Sequence, residues 1–113
     1  MSQPLDLKSL AHLKSVIGDS LAPILRTYLE ITPALMEELD HAIQKQNAAD
    51  VKRHAHTLKG SSSNIGAADL PKLCLQMEYF GRDGELKKAQ ALWPEIKQAY
   101  SELESAIKLY LNS

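Results

Sequence analysis

Apolar residues recur along this chain at spacings of three and four, the pattern of amphipathic helices. Alternating runs of β-branched and aromatic residues, which would mark strands, are missing. The first predicted helix covers about residues 6–18. Asp6 caps it, Leu7, Leu10, Leu13 and Ile17 share a face, and Gly18 closes it. The second spans about Ser20 to Gln46, with a stripe of Leu21, Ile24, Tyr28, Ile31, Leu35, Leu39 and Ala42. Pro33 falls inside it, so two nearly collinear helices with a break near Ile31 and Thr32 are expected. The third runs from about Ala48 to Asn64, with Val51, Ala55, Leu58, Ser62 and Ile65 inward, and ends at Gly66. The fourth covers about Ala68 to Phe80, with Leu70, Leu73, Met77 and Phe80 inward, before a turn bracketed by Gly81 and Gly84. The last extends from about Glu85 to Leu111 along Leu86, Ala89, Trp93, Ile96, Tyr100, Leu103 and Ile107, with a kink expected at Pro94.

Helices of these lengths with short connections predict an all-α fold, an antiparallel four-helix bundle at about 20–111 with a short additional N-terminal helix. The 113 residues form one domain, too small for a complete nucleotide-binding kinase. Hydrophobic residues at 44% and charged residues at 24% are those of a globular chain. A net charge of −1 creates no field that favours nucleic acid or an acidic membrane surface. The single cysteine excludes an internal disulfide and suits a reducing compartment. The start lacks the basic and apolar blocks of a signal peptide, and no apolar run is long enough to span a bilayer. A cytoplasmic location, no membrane partner, a monomer and a free-standing chain are the expectations.

The unusual stretch is His54–Ala67, HAHTLKGSSSNIGA. Gly60 sits in mid-helix, where it costs about 1 kcal/mol relative to Ala, and three serines follow it. At about 100° per residue, His54 lies roughly 50° from the centre of the buried stripe and His56 roughly 150° away. His54 therefore reads as a boundary histidine and His56 as a solvent-facing one. Lys52, Lys59, Gly60 and Ser63 fall on the outer side with His56. A neutral imidazole is nucleophilic near neutral pH, its ordinary pKa being about 6.5. An ammonium one turn away can offset the charge of a phosphoryl group on that ring. A glycine four residues on leaves room for whatever approaches. Metal chelation is disfavoured, because His54 and His56 cannot share a helix face and no paired ligand spacing occurs. The Lys59–Ser62 run lacks the order of a phosphate-binding loop. Cys74 falls near the inner stripe of its helix and reads as a small buried hydrophobe.

The segment His56-Thr57-Leu58-Lys59-Gly60-Ser61-Ser62, with Gly66-Ala67 and then Leu70, Leu73, Cys74, Met77 and Glu78, resembles the signature of histidine-containing phosphotransfer (HPt) domains. The resemblance extends over about Ser20 to Leu111 and is most specific at residues 55–78. It implies that His56 is phosphorylated through Nε2, that Lys59 steadies the phosphoryl group and that Gly60 keeps the approach open. It further implies that Glu78 hydrogen-bonds Nδ1; Ser63, read from its place on the outer side, can support the site with a hydroxyl hydrogen bond. The implied function is a phosphocarrier of a multistep His-Asp phosphorelay. The implied partners are response-regulator receiver domains and a hybrid sensor histidine kinase. No cofactor is expected on this chain, since the receiver supplies Mg²⁺, and no kinase or ATP-binding activity of its own.

Leu25 and Leu29 lie to one side of the main stripe of the second helix. With Lys52 they are the candidate partner-binding surface. Two other readings compete with the carrier. One is a non-catalytic helical adaptor for receiver or kinase domains. The other is the histidine-bearing domain of a larger hybrid or chemotaxis kinase. The dimerising domain of a sensor kinase fits poorly, because Thr57 stands where those domains carry Glu.

Overall fold

The computed structural model describes residues 3–113, which form five α-helices joined by short connections. These are α1 (Leu7–Ile17), α2 (Leu21–Gln44), α3 (Ala48–Asn64), α4 (Asp69–Asp83) and α5 (Leu86–Leu111), with a single 3₁₀ turn at Gly18–Ser20. Helices α2 to α5 make an antiparallel four-helix bundle. Each packs on its neighbours in sequence, and α5 closes the ring onto α2. The only extended pairing among the described residues is an isolated bridge between Leu5 and Ala67. No helix among them is long and apolar enough to cross a membrane.

The helix ends follow local chemistry. The Asp6 carboxylate accepts from the backbone N–H groups of Lys8 and Ser9 and starts α1. The Asn47 side chain accepts from the Asp50 N–H and starts α3. Gly84, at φ 70°, ends α4 in the left-handed conformation that glycine adopts without strain. Gly66, at φ 83°, turns the chain between α3 and α4. There Asp6 N–H donates to the Gly66 carbonyl at 2.8 Å and Ala68 N–H donates to the Pro4 carbonyl at 3.1 Å. The N-terminal segment thus clamps the α3–α4 connection, and α1 seats Leu10, 1% exposed, over it.

The predicted core of α3 is the observed one: Val51, Ala55, Leu58, Ser62 and Ile65 are all buried. On α5, Ala89, Trp93, Ile96, Tyr100, Leu103 and Ile107 are buried as expected, joined by Leu92, and the helix is unbroken at Pro94.

Helix α2 departs from expectation in two ways. It is a single helix of 24 residues through Pro33. The proline removes one backbone donor, and it does so on an exposed flank where water can serve the orphaned carbonyl. Its buried stripe is also turned. Leu21, Leu25, Tyr28, Thr32, Met36, Leu39, Ala42 and Ile43 face the core, while Ile24 and Ile31 are 43% and 50% exposed. Thr32 can occupy a core position because its hydroxyl donates to the Tyr28 carbonyl at 2.5 Å. The Tyr28 hydroxyl in turn shares a 2.6 Å hydrogen bond with Ser62, which ties α2 to α3 inside the bundle.

Gly81 also departs from expectation. It forms no turn. Helix α4 runs on to Asp83, and Gly81 is buried in its last turns against the start of α3.

Candidate functional site

The site is built on the faces that α3 and α4 turn towards each other and outwards. On α3 the core stripe fixes the rotation of the helix, which leaves His56 pointing out with 65% of its side chain exposed. Lys59 follows one turn later, only 26% exposed. On α4 the buried Leu70, Cys74, Met77 and Gly81 fix the rotation and set Glu78 on the flank facing α3.

Glu78 joins the cluster together. Both its carboxylate oxygens lie 3.2 Å from His56 Nδ1. Its Oε1 also accepts from Lys59 Nζ at 2.8 Å. The carboxylate is only 15% exposed. That partial burial raises its pKa, but the hydrogen bonds from Lys59 and then His56, with their charge attraction, outweigh it and hold the carboxyl below the ordinary glutamate value. An ionised carboxylate only accepts hydrogen bonds, so Nδ1 of a neutral His56 carries the proton and Nε2 carries the lone pair. The arrangement therefore prepares an exposed imidazole to act as a nucleophile through Nε2.

Gly60 lies on the exposed apex of α3, and a Cβ built on it would meet nothing within 4 Å. Ser63 is exposed two turns beyond His56 and stands outside the Glu78 cluster. Lys52 is exposed on the His56 side of α3. His54 turns the other way, 13% exposed, with Nδ1 3.5 Å from a Glu38 oxygen on α2.

Leu25 is 0% exposed and Leu29 packs against the core, so neither forms the outer docking surface expected of them. The rotation of α2 turns Ile24 and Ile31 outward instead. With Pro23, Thr27, Ser61 and Asn64 they line a mostly apolar groove of about 320 Å³ between α2 and α3. The readable signal was the alternative stripe Leu21, Leu25, Tyr28, Thr32, Met36 and Leu39, which a threonine in mid-core made less obvious. Cys74 is buried, and burial pushes its thiol up to about 12. Among the described residues no group of three or more His, Cys, Asp or Glu is placed to hold a metal ion.

Fold and cluster together define a helical module that carries its nucleophilic imidazole on the outer wall of a bundle, with a lysine and a glutamate in attendance. The chain belongs to the Hpt domain family, whose model matches residues 23–106. Its structure is similar to that of histidine-containing phosphotransfer protein B from Pseudomonas aeruginosa PAO1, with a TM-score of 0.92 and 29% identity over 99% of this chain and 97% of that one. Its sequence is 28% identical over 80 residues to phosphorelay intermediate protein rdeA of Dictyostelium discoideum, which is 71% of this chain and 32% of the relative. It is 26% identical over 98 residues to histidine-containing phosphotransfer protein 1 of Arabidopsis thaliana, 80% of this chain and 63% of the relative. The chain thus spans about a third and under two thirds of the lengths of these two relatives.

Proposed function

We propose that this chain is a phosphocarrier of a multistep His-Asp phosphorelay, accepting and donating a phosphoryl group at Nε2 of His56. The observation that carries the proposal is the Glu78 carboxylate 3.2 Å from Nδ1 of an exposed His56, which favours the proton on Nδ1 and the lone pair on Nε2. In the forward step, Nε2 attacks the phosphorus of a receiver aspartyl phosphate in line. The N–P bond forms as the P–O bond to the aspartate breaks. The receiver's Mg²⁺ offsets charge on the transferring group. The reverse step returns the phosphoryl group to a second receiver.

Lys59 spends one N–H on Glu78 and keeps its other donors for the phosphoryl oxygens. Gly60 leaves the approach clear. On the helical wheel it lies between His56 on one side and Asn64 and Ser61 on the other. A receiver seated in the Ile24–Ile31 groove reaches His56 across Gly60. Lys52 then lies at the margin of the contact, and Ser63 supports it at the far end. The chain does no kinase chemistry of its own. It draws on a hybrid sensor kinase for phosphoryl groups and works in the cytoplasm.

The test is transfer of label from a phosphorylated receiver domain with Mg²⁺ to wild type and to His56→Gln. Acid-labile, alkali-stable label on wild type alone is expected. Equal labelling of a folded His56→Gln protein would overturn the assignment. Tight receiver binding without label on wild type would favour the adaptor reading.

A further inference from the structure

Glycine in a helix is normally a liability, yet Gly81 is buried in the last turns of α4. The reason is contact with the backbone of α3. A Cβ at Gly81 would stand 2.6 Å from Lys52 N, and 3.0 Å from both the Ala48 carbonyl oxygen and Lys52 Cα. These are main-chain atoms of a capped helical turn and cannot swing aside as a side-chain tip can. Only a residue without a side chain lets the two helices touch here. Glu78 stands one turn back along α4, and Lys52 stands one turn before His56 on the antiparallel α3. The close contact and the cluster are therefore consecutive rungs of the same helix pair.

We propose that Gly81 is a positioning residue. By admitting the α3 backbone it sets the α3–α4 spacing that holds the Glu78 carboxylate within reach of both His56 Nδ1 and Lys59 Nζ. The proposal rests on His56 being the phosphoryl acceptor for its consequence in transfer, but not for its geometry. An added Cβ must retreat from 2.6 Å to about 3.4 Å from Lys52 N to reach ordinary contact. A similar retreat of Glu78 would stretch its 3.2 Å contacts with Nδ1 beyond hydrogen-bond range.

Two variants test this. Gly81→Ala moves the helix, and Glu78→Asp draws the carboxylate back by roughly one carbon–carbon bond, about 1.5 Å, with the glycine intact. The first readout is the tautomer of His56 from its ring ¹⁵N shifts, which needs no phosphoryl transfer. Both variants are expected to lose the preference for Nδ1–H. The second readout is the transfer rate. Glu78→Ala is expected to lower it about 10- to 100-fold, the scale of a lost supporting group. Gly81→Ala should approach that loss, and the double variant should be no slower than Glu78→Ala alone. Unchanged tautomers in the folded variants would overturn the proposal. So would losses that multiply in the double variant, since Gly81 would then act elsewhere. If Gly81→Ala does not fold, an unchanged tautomer in Glu78→Asp still refutes the distance requirement. If wild type takes no phosphoryl group while the tautomers shift as expected, the carrier function falls and the positioning stands.

Discussion

Gly60 gives a test in which stability and function move in opposite directions. The position is exposed and helical, and a Cβ placed there meets nothing within 4 Å. Gly60→Ala therefore adds no clash and recovers the full propensity difference, about 1 kcal/mol. That is roughly a fivefold gain in the folding equilibrium and a rise of about 4 °C in Tm for a domain of this size. Gly60→Gln recovers less, about 0.5 kcal/mol. In the proposed receiver complex the sign reverses, because a side chain at Gly60 would fill the path between the Ile24–Ile31 groove and His56. Overpacking a fitted contact costs about 1–3 kcal/mol, which is roughly a 5- to 150-fold loss of receiver affinity for Gly60→Gln. Urea melts and calorimetric titration with a receiver measure the two sides. A Gly60→Gln protein that is more stable and docks as well as wild type would refute the access role of Gly60. A less stable Gly60→Ala would show that the helix at this point is not the open one described.

Glu78 has a lowered pKa in the folded protein, so it adds stability above its ordinary value of 4.5 that fades as pH falls through the folded pKa. Glu78→Gln should flatten that part of the acid limb in denaturant melts, and an unaltered limb would mean that the bridge contributes nothing. Tyr28→Phe leaves the buried Ser62 hydroxyl unpaired and should cost about 1–3 kcal/mol in urea unfolding. The Tyr28→Phe/Ser62→Ala pair should cost less than the two single changes added together. Cys74, buried and with its thiol pushed up to about 12, should react with thiol reagents only as fast as the bundle opens. Rapid native labelling would contradict the packing of α4.

Helix α3 was legible to the residue because one narrow apolar stripe and a closing glycine agree on its register. The chemistry stood out for the opposite reason, since Gly60 defies helix propensity on the outer face beside His56 and Lys59. Helix α2 was harder. Apolar residues surround more than half of it, so two stripes about one residue apart fit the spacing. The helix is turned to the stripe that contains Thr32, whose hydroxyl is satisfied by the Tyr28 carbonyl in the folded helix. That single rotation moved Leu25 from a candidate contact to the core and brought Ile24 and Ile31 to the surface. Pro33 and Gly81 misled for a related reason. A helix breaker is judged by its cost in isolation, whereas water on one flank or a close neighbour on the other can absorb or require it. Glu78 was expected at Nδ1, but its simultaneous hold on Lys59 depends on helix spacing, which a sequence does not express.

The clamp at the α3–α4 connection has a kinetic side. Gln3 N–H donates to an Asp69 oxygen 66 positions away, and the Leu5–Ala67 bridge spans nearly as far. The bundle's larger helix contacts join helices that are neighbours in sequence, apart from the closure of α5 onto α2. Pairings between distant residues lose loop entropy before they gain contacts. The clamp of the N-terminal segment therefore cannot close until the α3–α4 hairpin has formed, and in native-state hydrogen exchange α1 should open as a unit of its own while the His56 cluster stays closed.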